Sequence, residues 1–255
     1  MNTLREKVAL VTGSSRGIGA AIARLFAREG AKVAVHGRDS VALSKVRSDI
    51  EQAGGRAIQV VAEITKFADV EAMRRQIEKE LGIVDILVAN AGFSHTKPGL
   101  PLEETSEEGW HASVNGNLTA TFLTLKSFLP GMKERRAGNI ITVSSAAARR
   151  PSPASPMPYA VAKAGIQLLT QELAAQVGPF GIRANCIAPE MIMTERNSEQ
   201  QMPEAQKAAL IEMHPLRRLG TPQDVARAAL FLASEDAGWI SGVVLDVAGG
   251  AVLVG

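Results

Sequence analysis

The sequence predicts an α/β protein built on a doubly wound, mostly parallel sheet with helices on both faces. Three observations lead there. Apolar runs of buried-strand type alternate with longer segments of helical period along the whole chain. The first run ends directly in a glycine turn that opens a helix. The 23 glycines suit the many tight strand-to-helix turns such a chain needs.

Taken in order, Lys7 to Thr12 is the first strand, Gly13-Ser14-Ser15-Arg16-Gly17-Ile18-Gly19 the turn, and Ala20 to Arg28 the first helix. Ala31 to His36 completes a β-α-β unit. Helix Val41 to Gln52, strand Ala57 to Val61, helix Phe67 to Leu81 and strand Val84 to Ala89 continue the alternation. Helical patterning resumes over Glu103 to Ser113 and Asn117 to Glu134, interrupted at Gly116, and leads to strand Asn139 to Ser145. A helix opens at Tyr159, strand Ile182 to Ala188 follows, and helix Pro222 to Ala233 and strand Gly242 to Val247 close the chain. That makes seven strands. Residues 1–255 read as one domain, and the polar, weakly periodic stretch 190–214 reads as a mobile segment covering the substrate.

Composition narrows the function. Hydrophobic residues at 46% and charged residues at 21% are ordinary globular usage, which excludes disorder. Net charge is +2 and the basic pairs are scattered among acids, so no broad cationic face awaits a nucleic acid. A lone Cys186 forms no internal disulfide, and no leader or spanning stretch is visible, so a cytoplasmic protein without membrane contact is expected. His36, His95, His111 and His214 lack the short spacings of a metal site, and no metal is expected.

The glycine turn carries the first chemistry. Its backbone must turn sharply and approach a ligand, while the helix start offers free N–H groups and a positive dipole end to phosphate. After an N-terminal strand, this points to a Rossmann-like dinucleotide site formed by Gly13, Ser14, Ser15, Arg16, Gly17, Ile18 and Gly19. Gly13-Ser14-Ser15-Arg16-Gly17 also satisfies the nucleophile elbow of a serine hydrolase, but it follows the first strand and no histidine reads as its base. At the second strand's tip stand Gly37 and Arg38, with Arg16 close by in the turn. An arginine there suits a 2′-phosphate, so NADP(H) is favoured, while Asp39 keeps NAD open. Glu63-Ile64 and Asn90-Ala91-Gly92 end the third and fourth strands at the carboxyl edge, where ligands bind.

The second chemistry is Tyr159-Ala160-Val161-Ala162-Lys163. Positions four apart share a helix face, so phenol and ammonium point into one space. A cation close to a phenol favours the phenolate and makes a usable proton donor or acceptor.

Together, Thr12-Gly13 with Gly17 and Gly19, Asn90-Ala91-Gly92, the Ser145 strand end and Tyr159 with Lys163 resemble the short-chain dehydrogenase/reductase family. The resemblance covers essentially the whole chain. It implies Ser145 as the carbonyl-orienting serine, Tyr159 as general acid, Lys163 as ribose anchor, and Asn117 as holder of a relay water. It implies Glu63 and Ile64 at the adenine, Pro189, Ile192 and Thr194 at the nicotinamide, and a homotetramer. Asn115 and Ser144 neighbour two of these positions and leave those assignments open by one or two residues.

The family's Pro-Gly after the sixth strand is Pro189-Glu190 here, which puts a carboxylate beside the expected nicotinamide site. Asp246 lies two residues before Ala248, where the family has an aspartate. The nearest look is to 3-oxoacyl-acyl-carrier-protein reductases and related ketone reductases. Arg136 fits one carrier-docking place but Phe180 stands at the other, so a free ketone, alcohol or polyol ranks above the acyl carrier protein as partner. Met157, Met191 and Met193, and the prolines before Tyr159, are expected around the pocket. A catalytically silent NADP-binding regulator is the reading from another class, although such proteins commonly lose the tyrosine or lysine.

Overall fold

The apolar runs become β1 (Val8–Val11), β2 (Lys32–Gly37), β3 (Arg56–Val61), β4 (Ile86–Ala89), β5 (Gly138–Val143), β6 (Ile182–Pro189) and β7 (Val244–Val247). The computed structural model describes residues 3–94, 96–152, 155–195 and 202–252. The strands form a seven-stranded sheet in the order β3-β2-β1-β4-β5-β6-β7, and every pairing is parallel. Strand order reverses between β1 and β4. A crevice at the carboxyl edge opens at such a reversal, because the flanking connections leave in opposite directions.

The helices are α1 (Gly17–Arg28), α2 (Ser40–Gln52), α3 (Phe67–Glu80), α4 (Glu107–Val114), α5 (Ala120–Arg135), α6 (Met157–Val177), α7 (Glu204–Met213) and α8 (Pro222–Ala233). Side chains alternate along each strand, so the continuous apolar runs feed two cores. Val11, Val35 and Ile187 pack under α1, α2 and α8 against Phe26, Leu43 and Leu232. Leu10, Leu87 and Ile140 pack on the other face under α3, α5 and α6 against Ile77, Phe128 and Leu173. The architecture is therefore Rossmann-like, with helices on both faces, as the sequence predicts.

Two local readings need correction, and a third gains detail. No break occurs at Gly116. Asn115–Thr119 form one π-helical turn that joins α4 to α5, and such a turn inserts an extra residue where a side chain must be re-aimed. The tyrosine helix begins earlier than expected, at Met157, because Pro158 sits in the first turn where its missing N–H costs nothing. Within the stretch expected to be a mobile cover, Glu204–Met213 is the helix α7; it buries no residue, which explains its weak periodicity. Residues 196–201 of that stretch lie outside the described residues. No helix among the described residues is long and apolar enough to cross a membrane.

Candidate active site and cofactor cleft

A cleft of about 1010 Å³ opens at the carboxyl edge of the sheet, bordered by the loops that follow β1 to β6. Its floor is the glycine turn. Gly13 and Gly17 adopt φ of +64° and +56°, a region that side chains disfavour. The Asn90 amide donates to the carbonyls of Thr12 and Gly13 at 2.9 and 3.1 Å. Thr12 Oγ1 accepts from the backbone N–H groups of Asn90 and Ala91 at 3.0 and 3.1 Å. Asn90 thereby locks the β4 end to the turn.

His36 locks it from the other side, a role the sequence did not suggest. Gly13 N donates to His36 Nδ1 at 3.3 Å, which leaves Nε2 to donate to the Ala62 carbonyl at 3.2 Å. Burial pushes the imidazole pKa down to about 4, so the ring is neutral at physiological pH. With both ring nitrogens engaged by backbone, His36 cannot serve Ser15 as a catalytic base.

Ser15, Arg16, Gly17, Ile18 and Gly19 line the cleft. Ser14 is part of the frame: it is buried, donates from Oγ to the Val11 carbonyl at 2.8 Å and accepts from His36 N at 2.9 Å. At the start of α1, Gly17 N donates to Glu195 Oε2 at 3.1 Å, so an anionic group already occupies the positive end of the helix. Arg16, Arg38, Glu63 and Ile64 line the same end of the cleft. Phe93, directly after Asn90-Ala91-Gly92, joins them, with its ring centroid 5.3 Å from the Arg38 guanidinium carbon.

At the other end, β5 stops at Val143 and leaves two serines beyond it with different work. Ser144 Oγ donates to the Lys163 carbonyl at 2.8 Å and accepts from Gln167 Nε2 at 3.0 Å, which binds α6 to the strand end. Ser145 lines the cleft and accepts from Ala147 N at 3.2 Å. Tyr159 and Lys163 also line it, on the first turns of α6. Lys163 Nζ lies 5.6 Å from the Tyr159 ring centroid and donates to the Val143 carbonyl at 2.8 Å. Its burial pushes the ammonium pKa down to about 8.

Asn117, in the π turn, is fully buried behind the cleft wall. Its amide donates to the carbonyls of Phe93 and Ser113 at 2.7 and 2.8 Å, and its buried Oδ1 has no hydrogen-bond partner. A Cβ on Gly92 would collide with that oxygen and lie 3.0 Å from Lys163 Nζ, so both atoms face one small space that glycine keeps open. Asn115 is exposed and accepts from Thr119 at 3.2 Å.

Pro189, Ile192 and Thr194 line the cleft after β6. Glu190 does not: it continues the β6 ladder with N donating to the Val247 carbonyl at 3.2 Å. Met157 and Met193 do not line it either. Of the proline run, Ser155 and Pro156 form wall, Pro151 and Pro158 do not, and Pro153 lies outside the described residues. Asp246 makes a two-pronged pair with Arg149, at 3.0 Å for both nearest contacts, and ties the turn after Ser145 to β7. No metal-holding cluster exists among the described residues.

A family model described as enoyl-(acyl carrier protein) reductase matches residues 13–252. The chain belongs to the short-chain dehydrogenase/reductase family. It is thus an oxidoreductase of a family that binds a nicotinamide cofactor. The (2S)-[(R)-hydroxy(phenyl)methyl]succinyl-CoA dehydrogenase subunit BbsD of Thauera aromatica is 37% identical over 250 residues, covering 97% of each chain. Glucose 1-dehydrogenase 2 of Bacillus subtilis is 36% identical over 252 residues, covering 98% of this chain and 96% of the relative. A 3-oxoacyl-[acyl-carrier protein] reductase from Brucella melitensis, solved with bound NAD, superposes with a TM-score of 0.89 at 33% identity over 99% of this chain and 95% of the other. The site fits the family's cofactor: the helix start at Gly17 is satisfied by an anion, and the Gly92 cradle holds a buried acceptor and an ammonium at the catalytic end.

Proposed function

We propose that this protein is an NADPH-dependent oxidoreductase that reduces a ketone, or oxidises the matching secondary alcohol, with Tyr159 as general acid and base. The single observation carrying this is that Ser145, Tyr159 and Lys163, from two different elements, meet at one end of the cleft whose other end is the glycine turn. When bound, the cofactor supplies or accepts the hydride. Ser145 Oγ donates to the substrate oxygen and orients it, and Tyr159 O–H protonates the alkoxide as charge develops there. Lys163 holds the cofactor's ribose and keeps a positive charge beside the phenol. Asn117 Oδ1, an acceptor with no protein partner, holds the water that refills the proton supply.

NADP(H) is favoured because Arg16 and Arg38 both line the phosphate end. Gly13, Ser15 to Gly19, Asn90, Ala91 and Gly92 carry the dinucleotide, with Ser14 behind them in the frame, and Pro189, Ile192 and Thr194 close over the nicotinamide, with the segment 190–214 covering the substrate. The protein is read as one cytoplasmic domain that assembles into a homotetramer. A second reading, a 3-oxoacyl-acyl-carrier-protein reductase, gains support from Lys133 and Arg136, which stand 4.8 and 5.8 Å from the Phe180 ring and make a basic knob for an acidic carrier.

The test is a substrate screen in both directions with NADP(H) and NAD(H) side by side, including a carrier-bound 3-oxoacyl chain among free ketones. Replacement of Tyr159 by Phe should cut turnover by about 10²- to 10⁴-fold while NADPH affinity stays within about twofold. Undiminished turnover in that variant would end the mechanism; NADPH binding without turnover of any substrate would favour the silent regulator.

A further inference from the structure

We propose that Glu63 sets the balance between the 2′-phosphorylated and unphosphorylated cofactors by holding the arginine, Arg38, that a 2′-phosphate recruits. The proposal rests on the cofactor reading above. Arg38 follows β2, Glu63 follows β3 and Phe93 follows β4. Because β1 lies between β2 and β4, Arg38 crosses above β1 to reach the Phe93 ring, and so lies over the phosphate end of the cleft. There its NH1 is 3.7 Å from Glu63 Oε2.

The two partners differ in how firmly they are held. Glu63 is anchored through its other oxygen, Oε1, which accepts from Thr65 N at 3.3 Å and Thr65 Oγ1 at 3.0 Å. Arg38 is 67% exposed, against 34% for Glu63, and its contact with the carboxylate is long. An arriving phosphate can therefore draw the guanidinium away, while the carboxylate stays in place. It then meets two opposing effects: competition with Glu63 for one cation, and repulsion from an anion that does not retreat. A ribose with a free 2′-hydroxyl meets neither. The other cation, Arg16, is engaged at 2.7 Å by Asp39, which is itself fixed by accepting from Ala42 N at the start of α2, and loss of Glu63 does not release it. Glu63 thus acts on selectivity through Arg38 and separately from Arg16.

Fluorescence titration of NADPH and of NADH onto the wild type, Glu63→Gln, Arg38→Gln and the double variant tests this. Glutamine keeps the size and an oxygen for Thr65 but loses the charge. Glu63→Gln should shift the ratio of NADPH to NADH affinity toward NADPH by about three- to tenfold, and the ratio cancels whatever Glu63 contributes to the adenine that both coenzymes share. In the Arg38→Gln background the same substitution should move the ratio by less than about twofold. An unchanged ratio in Glu63→Gln overturns the proposal, as does an equal shift without Arg38, which would mean that Glu63 acts on the nucleotide directly. If the wild type binds neither coenzyme, the cofactor reading itself falls; if it binds both and the ratio holds in Glu63→Gln, only the role of Glu63 does.

Discussion

Neutrality at His36 is a condition for the shape of the glycine turn. Nδ1 accepts the Gly13 N–H only while it carries no proton, and a charged ring would lose that bond in a buried place where its charge has no solvent. The folded pKa of about 4 lies below the ordinary value of 6.5. Between these two values the unfolded chain binds a proton that the folded chain refuses, so folding stability is complete above 6.5 and falls as pH drops toward 4. The full loss amounts to roughly 3 kcal/mol for this residue. Thermal unfolding at a series of pH values should show that slope, and His36→Gln, which can still bond Gly13 and Ala62 without titrating, should flatten it. A slope unchanged by the substitution would mean that other groups cause it. Lys163 shows the complementary case: with a pKa pushed down to about 8 it keeps its charge at neutral pH despite burial, aided by the Val143 carbonyl.

At the end of β5, the proposed mechanism gives two adjacent serines different work. Both border the cleft, but Ser144 Oγ joins Lys163 and Gln167 of α6 to the strand, while Ser145 Oγ accepts from the backbone of Ala147 beside it. Ser144→Ala strands the buried amide of Gln167 and should cost about 1–3 kcal/mol in denaturant unfolding. Ser145→Ala gives up the Ala147 N–H bond and should cost about 0.5–1 kcal/mol, yet lower turnover by about 100-fold, since the substrate oxygen loses its donor. Reversed outcomes would exchange the roles of the two serines. The sequence made the Ser145 strand end legible because strand, turn and helix periods bracket it, but it could not tell Ser144 from Ser145, since that depends on which hydroxyl α6 covers. The π turn at Asn115–Thr119 was illegible for a related reason: its cause is the fit of Asn117 against Phe93 and Gly92, which are distant in sequence.

On the scale of the molecule, the alternation of apolar runs and helical periods predicted the sheet and its two layers, since each strand must bury both faces. The cation pairings at the cleft mouth were beyond it, because Arg38 meets Glu63 and Phe93 only once β2, β3 and β4 stand side by side. The same limit applies to assembly. The outer faces of α5 and α6 leave Phe122, Val161 and Leu168 exposed at 46%, 47% and 60%, although both helices are packed on the sheet. Phe231 of α8, the fully exposed Trp239 and Val243, just before β7 at the end of the sheet, are exposed apolar residues as well. The proposed homotetramer would need two such apolar areas, one for each kind of isologous contact in a tetramer of two-fold symmetry. A charge placed in one patch should therefore dissolve one contact and spare the other. Leu168→Asp is expected to elute in size exclusion as a dimer, with lower activity because α6 carries Tyr159 and Lys163; adding Trp239→Asp should yield monomers. A wild-type chain that elutes as a monomer at micromolar concentration would refute the assembly, and a Leu168→Asp protein still tetrameric would move the first contact away from α6.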